Sequence, residues 1–219
     1  MIIALVGQKG GAGKTTTAIC VGSELLARDI NTLIADADPQ RTLLTWGVVA
    51  NDAGQPTPTI VGVGKSMAQA NQLPLVSTRY EITLIDCPPR LDEIQRAALT
   101  IADIAVIPCS QSGIEAWAAS ESASLIESAR KVNPTLRAVV LLTRVMHNTT
   151  IGKGARESLE SLGLPILKSE LGFRIAYQEA PAAGMGAAQY APMDPAATEV
   201  RALTDELLAL TKKGAKRRA

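Results

Sequence analysis

Eight consecutive residues, Lys9, Gly10, Gly11, Ala12, Gly13, Lys14, Thr15 and Thr16, are of the types that cradle a polyphosphate. Glycines let backbone N–H groups curl around phosphate oxygens with no Cβ in the way, and a helix that follows presents its unpaired N-terminal donors to the anion. In that arrangement Lys14 reaches the β and γ phosphates of a nucleotide and the Thr15 hydroxyl ligates Mg2+. The ordinary phosphate loop carries another glycine five positions before Gly13. Gln8 stands there, and the segment has a second lysine, Lys9, instead. At average residue usage, KGGxGK followed by Ser or Thr arises by chance in roughly one chain of this length in tens of thousands.

Two acidic segments complete the constellation. Thr32–Asp38 (TLIADAD) ends an apolar run with Asp36 and Asp38, which share a face because side chains of extended backbone repeat every two residues. Ile82–Asp86 (ITLID) is an apolar run that closes on one carboxylate. Each acid alone could cap a helix or end a strand in water. With the glycine-rich loop they converge, because ligands of open α/β sheets bind at the carboxyl ends of the strands.

The elements that must hold these groups are legible as alternating patterns. Ile2–Val6, Thr32–Ala35, Ile82–Ile85, Ile104–Ile107 and Ala138–Thr143 are apolar throughout, as strands covered on both faces are. Helical periods fill Thr15–Arg28, Leu91–Ile101, Glu115–Val132 and Gly154–Leu162. The alternation predicts an α/β, doubly wound, mostly parallel sheet with helices on both faces. A last amphipathic helix is expected over Pro195–Leu210, with Val200, Leu203, Leu207 and Leu210 on one face. The Gly- and Pro-rich stretch Asn51–Thr78 predicts only a short edge strand and a helix near Ser66–Gln72. No internal repeat or linker interrupts the 219 residues, so one domain is expected over residues 1–211, followed by a basic tail at 212–219.

Charge is unevenly placed. The 22 basic and 21 acidic groups nearly cancel, yet the last eight residues, KKGAKRRA, hold five basic groups and no acid. An acidic body therefore ends in a basic terminus. Six aromatic residues are too few for base stacking on an aromatic sheet, so contact with nucleic acid would be electrostatic. Cys20, Cys87, Cys109 and the single His147 have no zinc or iron–sulfur spacing. No apolar run approaches the roughly 18 residues that span a bilayer, and the N-terminus lacks a signal peptide's basic start and cleavage site, which points to the cytoplasm.

Taken together, KGGAGKTT, DADPQ (Asp36–Gln40) and LIDCPP (Leu84–Pro89) resemble the deviant phosphate loop, second motif and Walker B segment of the ParA-type partition ATPases, the deviant Walker A family that also includes MinD-like proteins. The resemblance continues through Val106–Ala119, Leu141–Val145 and Arg174–Gly184, and so covers most of the chain. It implies binding of ATP and Mg2+ along Lys9–Thr16, and an ATP-state homodimer in which Lys9 crosses to the partner's phosphates. It implies that Asp38 positions the attacking water and belongs to the metal site with Thr15 and Asp86, that Asp86 holds Mg2+ through a coordinated water and that Asp36 joins the same network. Thr143 and Arg144 fall where the family contacts adenine. Because the loop-bearing strand begins at residue 2, the small form without an N-terminal helix-turn-helix is implied. Such proteins bind DNA non-specifically and are released by a centromere-binding partner, ParB-like or of the small ribbon-helix-helix type, in plasmid or chromosome segregation. Lys212, Lys213, Lys216, Arg217 and Arg218 are the first candidates for DNA contact, with Lys153, Arg156 and Arg174 behind them. The alternatives are a ParA-like positioner of a protein cargo such as a chemoreceptor cluster, and a MinD-like membrane ATPase, for which Lys212–Ala219 lacks the bulky apolar residues. A nitrogenase-reductase-like protein would need cluster-holding cysteines, and Cys87 has no paired cysteine near it.

Overall fold

A computed structural model of the chain describes residues 1–90, 92–111, 113–146, 149, 156–157, 159–160 and 163–215. Seven strands form one sheet: β1 (Ile2–Leu5), β2 (Thr32–Asp36), β3 (Thr59–Gly62), β4 (Ile82–Asp86), β5 (Ile104–Ser110), β6 (Arg137–Val145) and β7 (Ile166–Gly172). Their spatial order is β3-β2-β4-β1-β5-β6-β7, and every described pairing is parallel. β1 lies in the middle of the sheet, and the strand order reverses direction there. That reversal leaves the crevice in which open α/β sheets bind ligands.

Parallel strands need crossovers, and the helices supply them. They are α1 (Lys14–Ala27), α2 (Thr42–Asp52), α3 (Leu73–Ser77), α4 (Asp92–Ile101), α5 (Gly113–Arg130), α6 (Ala176–Ala182), α7 (Ala187–Tyr190) and α8 (Pro195–Ala215), with a 3-10 turn at Lys65–Ala68. The two-residue alternation of the strands sorts the core into two layers. Ile2, Ala4, Leu33, Ile85, Ile107 and Val140 pack with α4 and α5, whereas Ile3, Leu5, Ile34, Leu84, Val106 and Leu141 pack with α1, α2, α6, α7 and α8. Each such Leu or Ile taken fully from water contributes roughly 1.5–3 kcal/mol.

The five expected strands and the last helix are present, the latter burying Val200, Leu203 and Leu207 with Leu210 packed beside them. α8 runs on to Ala215, past the boundary expected at residue 211. The edge strand expected in Asn51–Thr78 is β3, but the helix expected near Ser66–Gln72 is only a 3-10 turn at its start, Lys65–Ala68, with α3 following from Leu73. β7, α2, α6 and α7 were outside the sequence expectation. The helix expected over 154–162 falls largely outside the described residues, and Lys153, Lys216, Arg217 and Arg218 lie wholly outside them.

The turn after α6 touches α2 at one glycine. Gly184 has φ +71, and a Cβ there would lie 2.5 Å from the Ala50 Cα. Gly184→Ala should therefore destabilise the fold by about 2–3 kcal/mol, through overpacking against backbone as well as a left-handed conformation. Gly54, at φ +65 with open space around it, is the control. Gly54→Ala should lose only about 1 kcal/mol, and urea denaturation of the two variants separates clash from conformation.

Candidate functional site

Strand register brings the chemistry together. Asp36 is the partner of Asp86 across β2 and β4, and Leu5 is the partner of Asp86 across β1 and β4, so the loop leaving β1 emerges beside two carboxylates. Gly13, at φ +96, occupies the N-cap of α1, and Gly11 has φ +77. Gly13 brings no side chain to cap α1, and the helix's first turn holds no acid, which suits its N-terminus to an anion.

Three side chains fasten the loop from outside. The Thr143 hydroxyl, from β6, donates to Ala12 O at 2.9 Å. Gln95 of α4, fully buried, accepts from Gly7 N at 3.2 Å and donates to Pro88 O at 3.0 Å, joining the loop after β1 to the loop after β4. Gln8 donates to Asp92 at 2.7 Å. Within the loop, the buried Lys14 ammonium donates to Gly7 O at 3.1 Å and Lys9 O at 3.0 Å. Burial pushes the Lys14 pKa down, against the pull of Asp86, Cys87 and Asp38.

Asp86 is the centre of the site. One carboxylate oxygen accepts from the Thr15 hydroxyl at 2.7 Å, and the other is buried with no hydrogen-bond partner. Burial raises its pKa to about 7, opposed by the Thr15 hydrogen bond and Lys14 and reinforced by Asp36 and Asp38. A buried, unpaired carboxylate oxygen beside a hydroxyl is a hard-oxygen donor set that suits Mg2+. The fit is partial by design: among the described residues no group of three or more His, Cys, Asp or Glu could hold a metal, so the remaining ligands would be phosphate oxygens and water.

Asp38 is half-buried, with one oxygen accepting from Gln40 N at 2.9 Å, and it acts electrostatically on both Lys14 and Asp86. Asp36 acts electrostatically on Asp86, and its hydrogen bonds go to the backbone. Its two oxygens are taken by backbone amides, one by Asp38 N at 3.1 Å and the other by Leu43 N and Leu44 N at 3.1 and 3.2 Å. It is a fully buried cap for α2 that fixes where Asp38 sits.

Thr143 and Arg144 part company. Thr143 is buried and engaged with the loop, while Arg144, exposed and at φ +54, lines a cleft with Gly13, Thr16, Phe173, Arg174 and Tyr177. Phe173 is exposed beside this cleft. Neither Phe173 nor Tyr177 was legible as a site residue: Tyr177 falls inside the family-like run Arg174–Gly184, and Phe173 stands just before it. The DNA-contact expectation for Arg174 and Arg156 is weakened, because Arg174 forks onto Glu199 at 2.7 and 3.0 Å, and Arg156 donates to Leu167 O at 2.9 Å.

An unfolded aspartate titrates near 4, so between that value and about 7 the folded protein holds a proton that the unfolded chain has lost. Ligand-free stability should therefore fall as pH rises through this window. Mg2+ competes with the same proton, so its affinity in the presence of nucleotide should climb over the window and level off above it. Calorimetric titration from about pH 5.5 to about pH 8.5 checks this, and Asp86→Asn should flatten the profile while abolishing Mg2+-dependent binding.

The CobQ/CobB/MinD/ParA nucleotide binding domain matches residues 3–187. Maintenance of carboxysome distribution protein A of Halothiobacillus neapolitanus is 30% identical over 211 residues, covering 94% of this chain and 95% of that one. Chromosome-partitioning ATPase Soj of Thermus thermophilus is 29% identical over 239 residues, again covering 94% and 95%. Among solved structures, the septum site-determining protein MinD of Pyrococcus horikoshii, complexed with Mg-ADP, shares the fold at a TM-score of 0.75, with 18% identity and 98% of both chains covered. With a phosphate loop of this shape and a match over most of its length, the chain belongs to the CobQ/CobB/MinD/ParA nucleotide-binding family.

Proposed function

We propose that this ATP hydrolase, which works with ATP and Mg2+, is a ParA-type positioning ATPase. Two chains pair around ATP, the pair binds DNA without sequence preference, and a centromere-binding partner, ParB-like or ribbon-helix-helix, releases it by stimulating hydrolysis. The cargo is a plasmid or chromosome, and the place of action is the nucleoid. The observation that carries this reading is the end-to-end likeness to the two relatives above, both named for distributing something within a cell. A second reading, distribution of a protein assembly, is favoured by the name of the carboxysome relative. Among the described residues no helix is long and apolar enough to cross a membrane.

Each residue has a physical task in this cycle. Lys14 exchanges the Gly7 and Lys9 carbonyls for phosphate oxygens, and the Gly11–Gly13 backbone and α1 N-terminus hold the rest of the anion. Thr15 and Asp86, joined by a hydrogen bond in this structure, would hold Mg2+, and the ion would supply neutralisation of charge on the phosphates. Lys9 reaches the partner's phosphates, and Asp38 orients the attacking water and takes its proton. Arg144 and the cleft beside it receive the nucleoside. The basic residues of 212–219 meet DNA phosphates, doubled in number by the dimer.

Three outcomes test the cycle. Lys9→Ala should keep nucleotide binding and lose ATP-driven dimerisation in sedimentation, whereas dimers of undiminished strength would remove Lys9 from the interface. Asp38→Ala should accumulate the ATP-bound dimer with hydrolysis lowered by about a hundredfold or more. Deleting residues 212–219 should weaken ATP-dependent DNA binding and reduce the slope of log affinity against log salt by about 0.9 for every DNA phosphate that the shortened chain no longer neutralises. An unchanged slope would place the DNA face elsewhere.

A further inference from the structure

A half-buried knot of hydrogen bonds stands beside the cleft next to the phosphate loop, and it is centred on a residue of the last helix. Glu199, in the second turn of α8, has its side chain 15% exposed. One oxygen accepts from Arg174 Nε at 3.0 Å and Nη2 at 2.7 Å. The other accepts from Gly172 N at 2.9 Å and from the Tyr177 hydroxyl at 2.8 Å. Gly172, Arg174 and Tyr177 all line the cleft that opens off Gly13 and Thr16. A Cβ on Gly172 would fall 3.0 Å from both Arg174 Nε and Glu199 Oε1, so the knot occupies the space a side chain would need.

A carboxylate that accepts four hydrogen bonds, two of them from one guanidinium, fixes those donors far more strictly than neutral partners could. Without it, the buried Gly172 N–H would lose its acceptor, and Arg174 would be released to swing through the cleft or out of it. We propose that Glu199 is a positioning residue for the nucleoside end of the nucleotide: it holds the end of β7 and the start of α6 as one rigid wall of the base-and-ribose cleft. This rests on the reading of Lys9–Thr16 as the phosphate site. Glu199 touches neither the phosphates nor their loop; its effect passes through Arg174, Tyr177 and the Gly172 amide.

The test separates the two ends of the ligand. Affinities of the full-length protein for Mg·ATP and for Mg·tripolyphosphate, which has the phosphates and no nucleoside, are measured for wild type, Glu199→Gln and Glu199→Ala, with thermal melting as the check on folding. Glu199→Gln keeps the volume and covers the case in which Glu199→Ala does not fold. The expected result is an ATP dissociation constant raised about tenfold or more in either folded variant, with tripolyphosphate affinity held within about twofold. Equal weakening for both ligands would make Glu199 a general stabiliser, and no change for either would give it no part in binding; both results overturn the proposal. Wild type that binds tripolyphosphate as tightly as ATP overturns it too while leaving the phosphate site intact. Wild type that binds neither brings down the phosphate-site reading along with it.

Discussion

A carboxylate with one oxygen unpaired cannot be left in the middle of a protein without something to answer it, and Asp86 is placed there by strand order. It ends β4, between β2 and β1, where parallel pairing sets Asp36 on one side and the phosphate loop on the other. Removal from water disfavours its charge, and the neighbouring acids add to that penalty. Thr15 and Lys14 offset it in part. In the function proposed above, a divalent cation would offset the rest, so that the electrostatic penalty on Asp86 and its role toward Mg2+ would be one property of one side chain.

The other two acids show how the same chemistry takes different jobs through local backbone. Asp36 faces the start of α2, whose first amides claim one of its oxygens while Asp38 N claims the other, so it is a structural cap. Asp38, two residues on, lies past the strand end and half in solvent, with an oxygen on Gln40 N and its charge acting on Lys14 and Asp86. The loop itself is braced from β6 through Thr143 and from α4 through Gln95, so its shape belongs to separate crossovers. A phosphate loop held this way needs little rearrangement to receive an anion, which favours binding by sparing ordering entropy.

What could be read from the residues, and what could not, follows from how local each signal is. The central strands are unbroken apolar runs because both their faces are covered, and the phosphate loop is a contiguous word whose glycines have one physical use. β7 (ILKSELG) mixes apolar and charged residues because it lies at the sheet edge with one neighbour, so it lacks the run that marked the others. α2 (TLLTWGVVAND) carries Val, Thr and Gly instead of strong helix formers, and its apolar residues do not fall on a single stripe. Asp36 and Asp38 look equivalent in sequence; only the position of the α2 amides separates a cap from a half-exposed carboxylate. Gln95 and Glu199 look like solvated helix residues, and their roles arise from partners 88 and 22 to 27 residues away.

The central position of β1 has a consequence for synthesis. β1 leaves the ribosome before β4 and β5, the two strands that bracket it, so one of its edges has no partner until Asp86 has been made and the other none until β5, which ends at Ser110, follows. The phosphate loop, which hangs from that strand and borrows Gln95 and Thr143, cannot take its final form until Thr143 has been made as well. Parallel pairings this far apart in sequence also make closing the sheet a slow event. For that interval the nascent chain exposes an apolar strand beside a glycine-rich loop. A truncated product ending before β5 would keep the whole sequence word for binding phosphate and have no structure with which to use it.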